Sequence, residues 1–261
     1  MRGYSVVKAA DDGEFVQSLA RGLRVLQSFG AETPSMTLTE VAELTDLSRG
    51  TARRLLLTLD RLGFVGSDGK KFWLKPQVMD LGYRYLSSLP WWQLAKPIIE
   101  EATSAVNEAC NVGILDGNDI IYTAGVEVNR IVSTNIRIGS RLPAHATATG
   151  RVLLSLLSDR ELDSFFNNAE LKQLTPKTVV DEATLRSILR KVRADQYCLV
   201  DQELELGLRS IAVAVTDRTG KILGAMSLSS NAQRLEIPEI ISRHLPALRE
   251  ACDKIARAVP T

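Results

Sequence analysis

Apolar residues begin to recur with helical spacing at Gln17. Leu19, Leu23, Leu26 and Phe29 fall on one face, and the helix they predict over Gln17–Phe29 stops at Gly30, with Pro34 keeping the chain extended. Thr37-Leu38-Thr39-Glu40 is a capping box, in which a hydroxyl and a carboxylate satisfy orphan amides at a helix start. The helix it opens is short, with Leu38, Val41, Ala42 and Leu44 inward, and a turn follows at Thr45-Asp46-Leu47. Ser48 then caps a second helix whose apolar stripe is Ala52, Leu55, Leu59 and Leu62 and whose stop is Gly63. From Phe64 to Leu74 two short apolar runs flank a turn containing Asp68-Gly69, the signal of a β-hairpin. Helices followed by a hairpin in this order predict a winged helix-turn-helix.

Pro76 to Leu89 is again helical, with Val78, Leu81, Tyr85 and Leu86 apolar. Pro90 interrupts it, and Trp91-Trp92 opens a helix reaching about Ala109. Both helices look rich in exposed apolar residues, which predicts a dimer contact. Beyond them, Val112–Leu115, Ile120–Ala124 and Ile131–Ile136 are β-rich, and a Gly/Pro loop from Gly139 to Ala146 leads into a helix near Thr149–Leu157. Further helices are predicted near Asp159–Asn167 and Asp181–Asp195, a second hairpin over Ser210–Asp217 and Ile222–Ser229, and a terminal helix over Pro238–Ala258. The fold class is α+β. A disordered lead spans 1–14, the winged helix 15–75, a linker helix 76–90, and a second domain with mainly antiparallel pairing 91–261.

Composition adds little to that outline, but charge placement adds a partner. A chain of 261 residues favours two domains, and 45% hydrophobic residues supply a sizeable core. Net charge is only +1, yet Leu47–Pro76 holds seven cations, Arg49, Arg53, Arg54, Arg61, Lys70, Lys71 and Lys75, against Asp60 and Asp68. This excess lies on the second helix of the helix-turn-helix and on the wing, where DNA phosphates would sit, although a basic helical face can also be simply solvated. Arg49 and Arg53 lie one turn apart, opposite the apolar stripe, so they are the candidates for base edges, with Thr51 assisting. Gly50 weakens the helix but lets it approach a duplex closely. Ser48, Arg54, Lys70 and Lys71 are candidates for phosphates, and Thr37 at the preceding cap joins this set. Double-stranded DNA is the expected partner.

The remaining chemistry is sparse. No apolar run approaches a membrane span, the first residues have no signal-peptide core, and Cys110, Cys198 and Cys252 form no CxxC pair. A cytoplasmic location with no membrane partner is expected, the thiols being free and buried. His145 and His244 stand apart, without a GxSxG elbow, Walker loop or GxGxxG, so no catalytic residue, metal or cofactor is assigned.

The segments Gln17-Ser18-Leu19-Ala20-Arg21-Gly22-Leu23, Leu38-Thr39-Glu40-Val41-Ala42 and Ser48-Arg49-Gly50-Thr51-Ala52-Arg53-Arg54 resemble the IclR family of bacterial transcriptional regulators. So do Gly139-Ser140-Arg141-Leu142-Pro143-Ala144-His145-Ala146-Thr147-Ala148-Thr149-Gly150-Arg151 and Glu205-Leu206-Gly207-Leu208-Arg209-Ser210-Ile211-Ala212. Leu199–Val213 is similar to the branch that regulates aromatic-acid catabolism, with protocatechuate, 4-hydroxybenzoate and β-ketoadipate as its acids. The resemblance implies a GAF-like effector domain, a homodimer assembling as a dimer of dimers, a palindromic operator and a small organic acid effector.

Carried over by residue, the resemblance implies that the effector is lined by Ile131, Ala148, Thr149, Leu208, Ser210, Ser227 and Ser229, with Val200 or Asp201 nearby. The residues themselves point to the same place. Thr147-Ala148-Thr149-Gly150 opens a helix, whose unpaired amides favour a carboxylate, and Ser227 and Ser229 share a strand face by period two. Arg137, Arg141 and Arg209 are candidates for a second carboxylate, with surface or interface salt bridges as the alternative. Two further functions stay open: a second domain that only oligomerises, or an enzyme acting on a small acid.

Overall fold

A computed structural model of the chain describes residues 14–89, 91–128 and 136–259. The lead up to residue 13 and candidate Ile131, with the strand expected around it as far as residue 135, lie outside the described residues; Ile136 is in no strand. The chain divides into two units, one ending at Tyr85 and the other beginning at Leu86.

In the first unit, α1 (Gln17–Gln27), α2 (Leu38–Thr45) and α3 (Arg49–Arg61) enclose a core of Val25, Phe29, Met36, Val41, Leu56, Leu59, Val65 and Phe72. The strands β1 (Met36–Thr37), β2 (Val65–Ser67) and β3 (Lys71–Leu74) form an antiparallel sheet in the order β1-β3-β2. Both predicted caps form. The Thr37 side chain accepts the Glu40 amide while Glu40 accepts the Thr37 amide, and Ser48 accepts the Thr51 amide. Gly63 adopts φ +82°, and the Phe64 and Gly63 amides donate to Leu59 and Asp60, a Schellman stop that only a left-handed residue permits. Asp46, at φ 53°, closes α2 in the same way and makes the sharp turn into α3.

Two predicted stripes are corrected. In α1 the core takes Val25 and Phe29, while Leu19 and Leu23 stay 62% and 46% exposed. In α3 the buried positions are Ala52, Leu56 and Leu59, so Leu56 joins the predicted stripe, while Leu62 stands beyond the last turn and is exposed. The periodicity located the helices, but the apolar face is wider than a single small core can cover. α4 (Val78–Ser87) follows, with no buried residue.

The second unit is built on a six-stranded antiparallel sheet in the order β6-β5-β4-β9-β8-β7. Its strands are β4 (Ala109–Asp116), β5 (Asp119–Val126), β6 (Arg141–Pro143), β7 (Cys198–Asp201), β8 (Leu208–Thr216) and β9 (Ile222–Asn231). On one face, α5 (Trp92–Val106) and the terminal helix pack over Cys110, Val112, Ile211, Val213, Met226 and Leu228. The terminal segment runs from the single turn α9 (Ile237–Glu239) through a π-helical turn at Ile240–His244 into α10 (Leu245–Ala258). On the other face, α6 (Ala148–Ser155), α7 (Asp159–Asn168) and α8 (Glu182–Asp195) contribute to a core with Ile120, Tyr122, Val200, Ala212 and Ala225.

The alternation of each strand divides these two cores: odd residues of β8 face α10 and even ones face α6. α5 ends at Val106, because Asn107 at φ 54° turns the chain directly into β4, so the helix is shorter than predicted. Trp91 just before it and Ala95 and Ile99 within it are buried core, a second correction to the expected exposed face. β6 and β7 were not anticipated; each is an edge strand too short to show alternation. Among the described residues no helix is long and apolar enough to cross a membrane.

Candidate functional site

The first unit presents a basic surface around the start of α3. Arg49, Gly50, Arg53 and Arg54 are exposed, and Thr51 is half-buried. Ser48 donates its hydroxyl to Thr51 Oγ1 at 3.0 Å besides capping the helix, so its side chain holds the first turn in place. An open groove beside the turn, lined among others by Thr39, Glu43, Ser48 and Arg49, leaves this helix start accessible. At the wing, Asp68 Oδ1 accepts the amides of Lys71 at 2.7 Å and Lys70 at 2.9 Å. These bonds hold the Asp68 carboxyl below its usual range and fix the tip, leaving both lysine side chains in solvent.

Thr37 forms the expected cap. Its hydroxyl donates to Glu40 Oε2 at 2.9 Å and accepts the Glu40 amide at 3.3 Å, so it is spent on the cap. Hydrogen bonds from the Thr37 amide and hydroxyl hold the Glu40 carboxyl low, and Lys71 contributes because β1 places Thr37 opposite Lys71. β1 thus joins the start of α2 to the wing.

The second unit holds a narrow cavity between the sheet and the first turn of α6. Ala146, Thr147, Ala148 and Thr149 form one side. Tyr122, Ser210, Ser227 and Val200 come from the strands, and Ile136, Leu204 and Leu208 complete the lining. None of these side chains is charged. Thr147 caps α6 by accepting the Gly150 amide at 3.1 Å, and the amides of Ala148 and Thr149, both residues of the cavity lining, have no partner within the helix. Gly150 is needed for a close approach: a Cβ there would collide with the Ala144 carbonyl oxygen.

The Thr149 hydroxyl is buried with no hydrogen-bond partner in ordinary geometry. Burial raises the Tyr122 phenol pKa, and the nearby Thr149 hydroxyl opposes that rise without closing a well-formed bond. Ser210 and Ser229 share a hydrogen bond of 3.1 Å across β8 and β9, so Ser229 supports Ser210 from outside the lining.

Of the residues expected at an effector, the structure brings together Ala148, Thr149, Leu208, Ser210 and Ser227, with Val200. It removes the charged ones. Asp201 and Arg209 pair across β7 and β8 on the opposite face of the sheet, where Arg209 also donates to the Leu235 carbonyl at 2.6 Å. Burial pushes the Asp201 carboxyl up, but hydrogen bonds from Arg209, Lys177 and Gln202 outweigh it and hold the pKa down. Arg141 lies on edge strand β6 and is bound by Asp116 at 2.7 Å and Asp119 at 3.4 Å. Arg137 is exposed in the turn before it. Sequence reasoning missed Tyr122, Ile136, Ala146, Thr147 and Leu204 as lining; Thr147 was read only as part of the helix start, and Tyr122 had a signal in its spacing of two from Ile120.

The histidines and thiols are structural. His145 Nε2 lies 3.1 Å from the Lys172 carbonyl, and His244 is buried with its pKa lowered to about 4 by burial. The three cysteines are free and buried; burial pushes Cys198 and Cys252 up to about 12 and Cys110 up as well. Among the described residues no group of His, Cys, Asp and Glu could hold a metal ion.

An exposed basic helix start and wing, carried in one chain with a sheet-and-helix cavity domain, define a winged-helix transcriptional regulator. Residues 18–69 match the family described as "IclR helix-turn-helix domain", and residues 83–257 match "Bacterial transcriptional regulator IclR C-terminal". The chain belongs to the IclR family. It is 39% identical over 249 residues to the Pca regulon regulatory protein of Pseudomonas putida, covering 94% of this chain and 86% of that protein. It is 35% identical over 252 residues to the p-hydroxybenzoate hydroxylase transcriptional activator of Acinetobacter baylyi, covering 94% of this chain and 93% of that one. Among solved structures, an IclR homolog from Microbacterium hydrocarbonoxydans complexed with 4-hydroxybenzoate superposes with a TM-score of 0.81 at 25% identity, covering 92% of this chain and 99% of that chain.

Proposed function

We propose that this chain is a cytoplasmic regulator of aromatic-catabolism genes whose operator binding is set by a small organic acid held in the second-unit cavity. The DNA-binding domain is residues 15–75, the linker helix 76–90 and the effector domain 91–261. A homodimer, itself paired into a dimer of dimers, places recognition helices on a palindromic operator. Exposed Met79, Leu81, Tyr83 and Tyr85 on α4 support pairing at the linker.

The observation that carries the effector reading is the unpartnered, buried Thr149 hydroxyl at the start of α6. A buried hydroxyl without a partner is costly, and a carboxylate at the helix start would satisfy it together with the first amides. Ser210 and Ser227 supply polar positions for a ring hydroxyl. The p-hydroxybenzoate hydroxylase that the A. baylyi relative activates by name and the 4-hydroxybenzoate of the Microbacterium homolog support an acid of this class. An acid shifts operator binding only if it binds the two arrangements of the dimer with different affinity.

Calorimetry of the full chain with 4-hydroxybenzoate, protocatechuate and β-ketoadipate, paired with gel shifts on DNA flanking its gene, tests the reading. Heat from at least one acid and a changed shift in its presence are expected. No heat and no thermal stabilisation with all three would leave the second unit an oligomerisation module, and consumption of the acid would reveal an enzyme.

A further inference from the structure

Arg151 lies on α6, one turn beyond the cavity residues Ala148 and Thr149, and is 2% exposed. Its guanidinium meets Glu203 through two bonds, Nη1 to Oε1 at 2.6 Å and Nη2 to Oε2 at 2.5 Å, while Nε donates to the His145 carbonyl at 2.7 Å. Glu203 Oε2 also accepts the Val179 amide at 2.9 Å, and its carbonyl accepts the Thr178 hydroxyl at 2.6 Å. Glu203 belongs to the loop between β7 and β8, whose next residue, Leu204, lines the cavity and whose last, Gly207, turns at φ +85° into Leu208. The bonds within this loop, Gln202 amide to Leu208 carbonyl and Gly207 amide to Gln202 Oε1, fix its shape. They do not tie it to α6; the ion pair does. Thr175 Oγ1 donating to the Gln202 carbonyl at 2.8 Å and the Ala232 amide donating to the Gly207 carbonyl at 2.7 Å anchor the two ends of the loop elsewhere, so the pair acts on the middle of the loop.

We infer that Arg151 and Glu203 are a positioning pair that holds the loop 202–207 closed over the cavity, so that they govern how fast a bound acid leaves. The inference rests on the effector reading above for the ligand, but not for the loop. A forked two-bond contact fixes orientation as well as distance, which a point charge cannot do. The pair also joins the helix turn that would receive a carboxylate to the residue that covers it. Because Glu203 balances the Arg151 charge, the arginine acts as a tether here and leaves the acid to the amides and hydroxyls.

The test uses the full chain in two variants, Arg151→Lys, which keeps the charge and loses the fork, and the double variant Arg151→Met/Glu203→Leu. The double variant leaves no buried charge unpaired, so it is the one expected to fold where the lysine variant fails. Hydrogen exchange without ligand should accelerate about tenfold at amides 202–208 and at Val179, with the centres of β4 and β9 unchanged. Stopped-flow dissociation of 4-hydroxybenzoate should accelerate by about the same factor, since loss of a closed cover acts on the off-rate. Unchanged loop protection in the folded double variant overturns the inference. So does acceleration spread equally over β4 and β9, or failure of both variants to fold, because each makes the pair a general support of the fold. If the unmodified chain binds no 4-hydroxybenzoate, the effector reading loses that acid while the exchange pattern still decides the role of the pair.

Discussion

Arg209 Nε donates a 2.6 Å hydrogen bond to Asp201 directly across the β7–β8 pair, and its Nη1 reaches the carbonyls of Ala232 and Leu235 ahead of α9. The arginine therefore fastens a sheet edge to the start of the terminal helical segment, on the face away from the cavity. Arg209→Ala should cost about 2 kcal/mol of stability, the scale for charge-assisted bonds in a mostly buried setting. Affinity for 4-hydroxybenzoate should stay within about twofold, since no cavity contact is lost. Urea unfolding and calorimetry on one preparation check both. A large loss of affinity at unchanged stability would return Arg209 to the ligand site.

Thr149→Val separates a ligand group from a structural one by moving two quantities in opposite directions. Valine keeps the shape of the side chain and removes a buried hydroxyl that has no partner, so the ligand-free protein should gain about 1 kcal/mol. If that hydroxyl donates to a bound carboxylate, affinity should fall about tenfold or more. A variant that is both more stable and weaker in binding supports the cavity assignment. Lower stability would mean that the hydroxyl already has a partner in the ligand-free protein.

These two cases mark what the sequence could disclose. Caps and turns are local, so Thr37 with Glu40, Ser48 with Thr51, and Gly63 were readable from a few neighbouring residues. Ala148 and Thr149 were placed by a helix start and Ser227 by a strand period, each beside the family resemblance, which alone placed Ser210. Asp201 and Arg209 were misplaced because one step of strand register moves a side chain to the other face, and β7 was too short to declare its register. Leu204 and Arg151 depend on a loop meeting a helix about fifty residues away, for which no local pattern exists. The choice of Leu56 over Leu62 was set by how far the core extends along α3.

On the DNA side, three changes should give three distinct signatures. Arg49→Ala/Arg53→Ala should abolish specific gel shifts while leaving calorimetry with 4-hydroxybenzoate unchanged. Lys70→Ala/Lys71→Ala should weaken binding to all sequences and reduce the slope of log affinity against log salt by roughly four per bound dimer, as loss of two phosphate contacts from each protomer requires. Ser48→Ala removes a cap and should cost about 1 kcal/mol of stability in the first unit, with weaker binding as a consequence. Specific shifts that survive the double arginine change would move base recognition elsewhere on the surface.

His244 gives the stability a pH dependence of its own. The ring is 1% exposed in the π-helical turn beside Ser230, and burial, with Arg243 and Arg234 adding to it and Glu239 opposing, lowers its pKa from 6.5 to about 4. The native state therefore keeps this ring neutral where the unfolded chain has already taken up a proton. Between pH 6.5 and about 4 the unfolded state binds more protons, so stability falls as pH falls, with a slope approaching about 1.4 kcal/mol per unit. Above pH 6.5 both states are neutral and the contribution is flat. Most carboxylates titrate lower, which leaves pH 6.5 to 5 as the clearest window. His244→Gln should flatten the profile there relative to the unmodified chain, measured by urea unfolding at half-unit steps. Identical slopes for the two proteins would show that His244 titrates in the native state as it does in water.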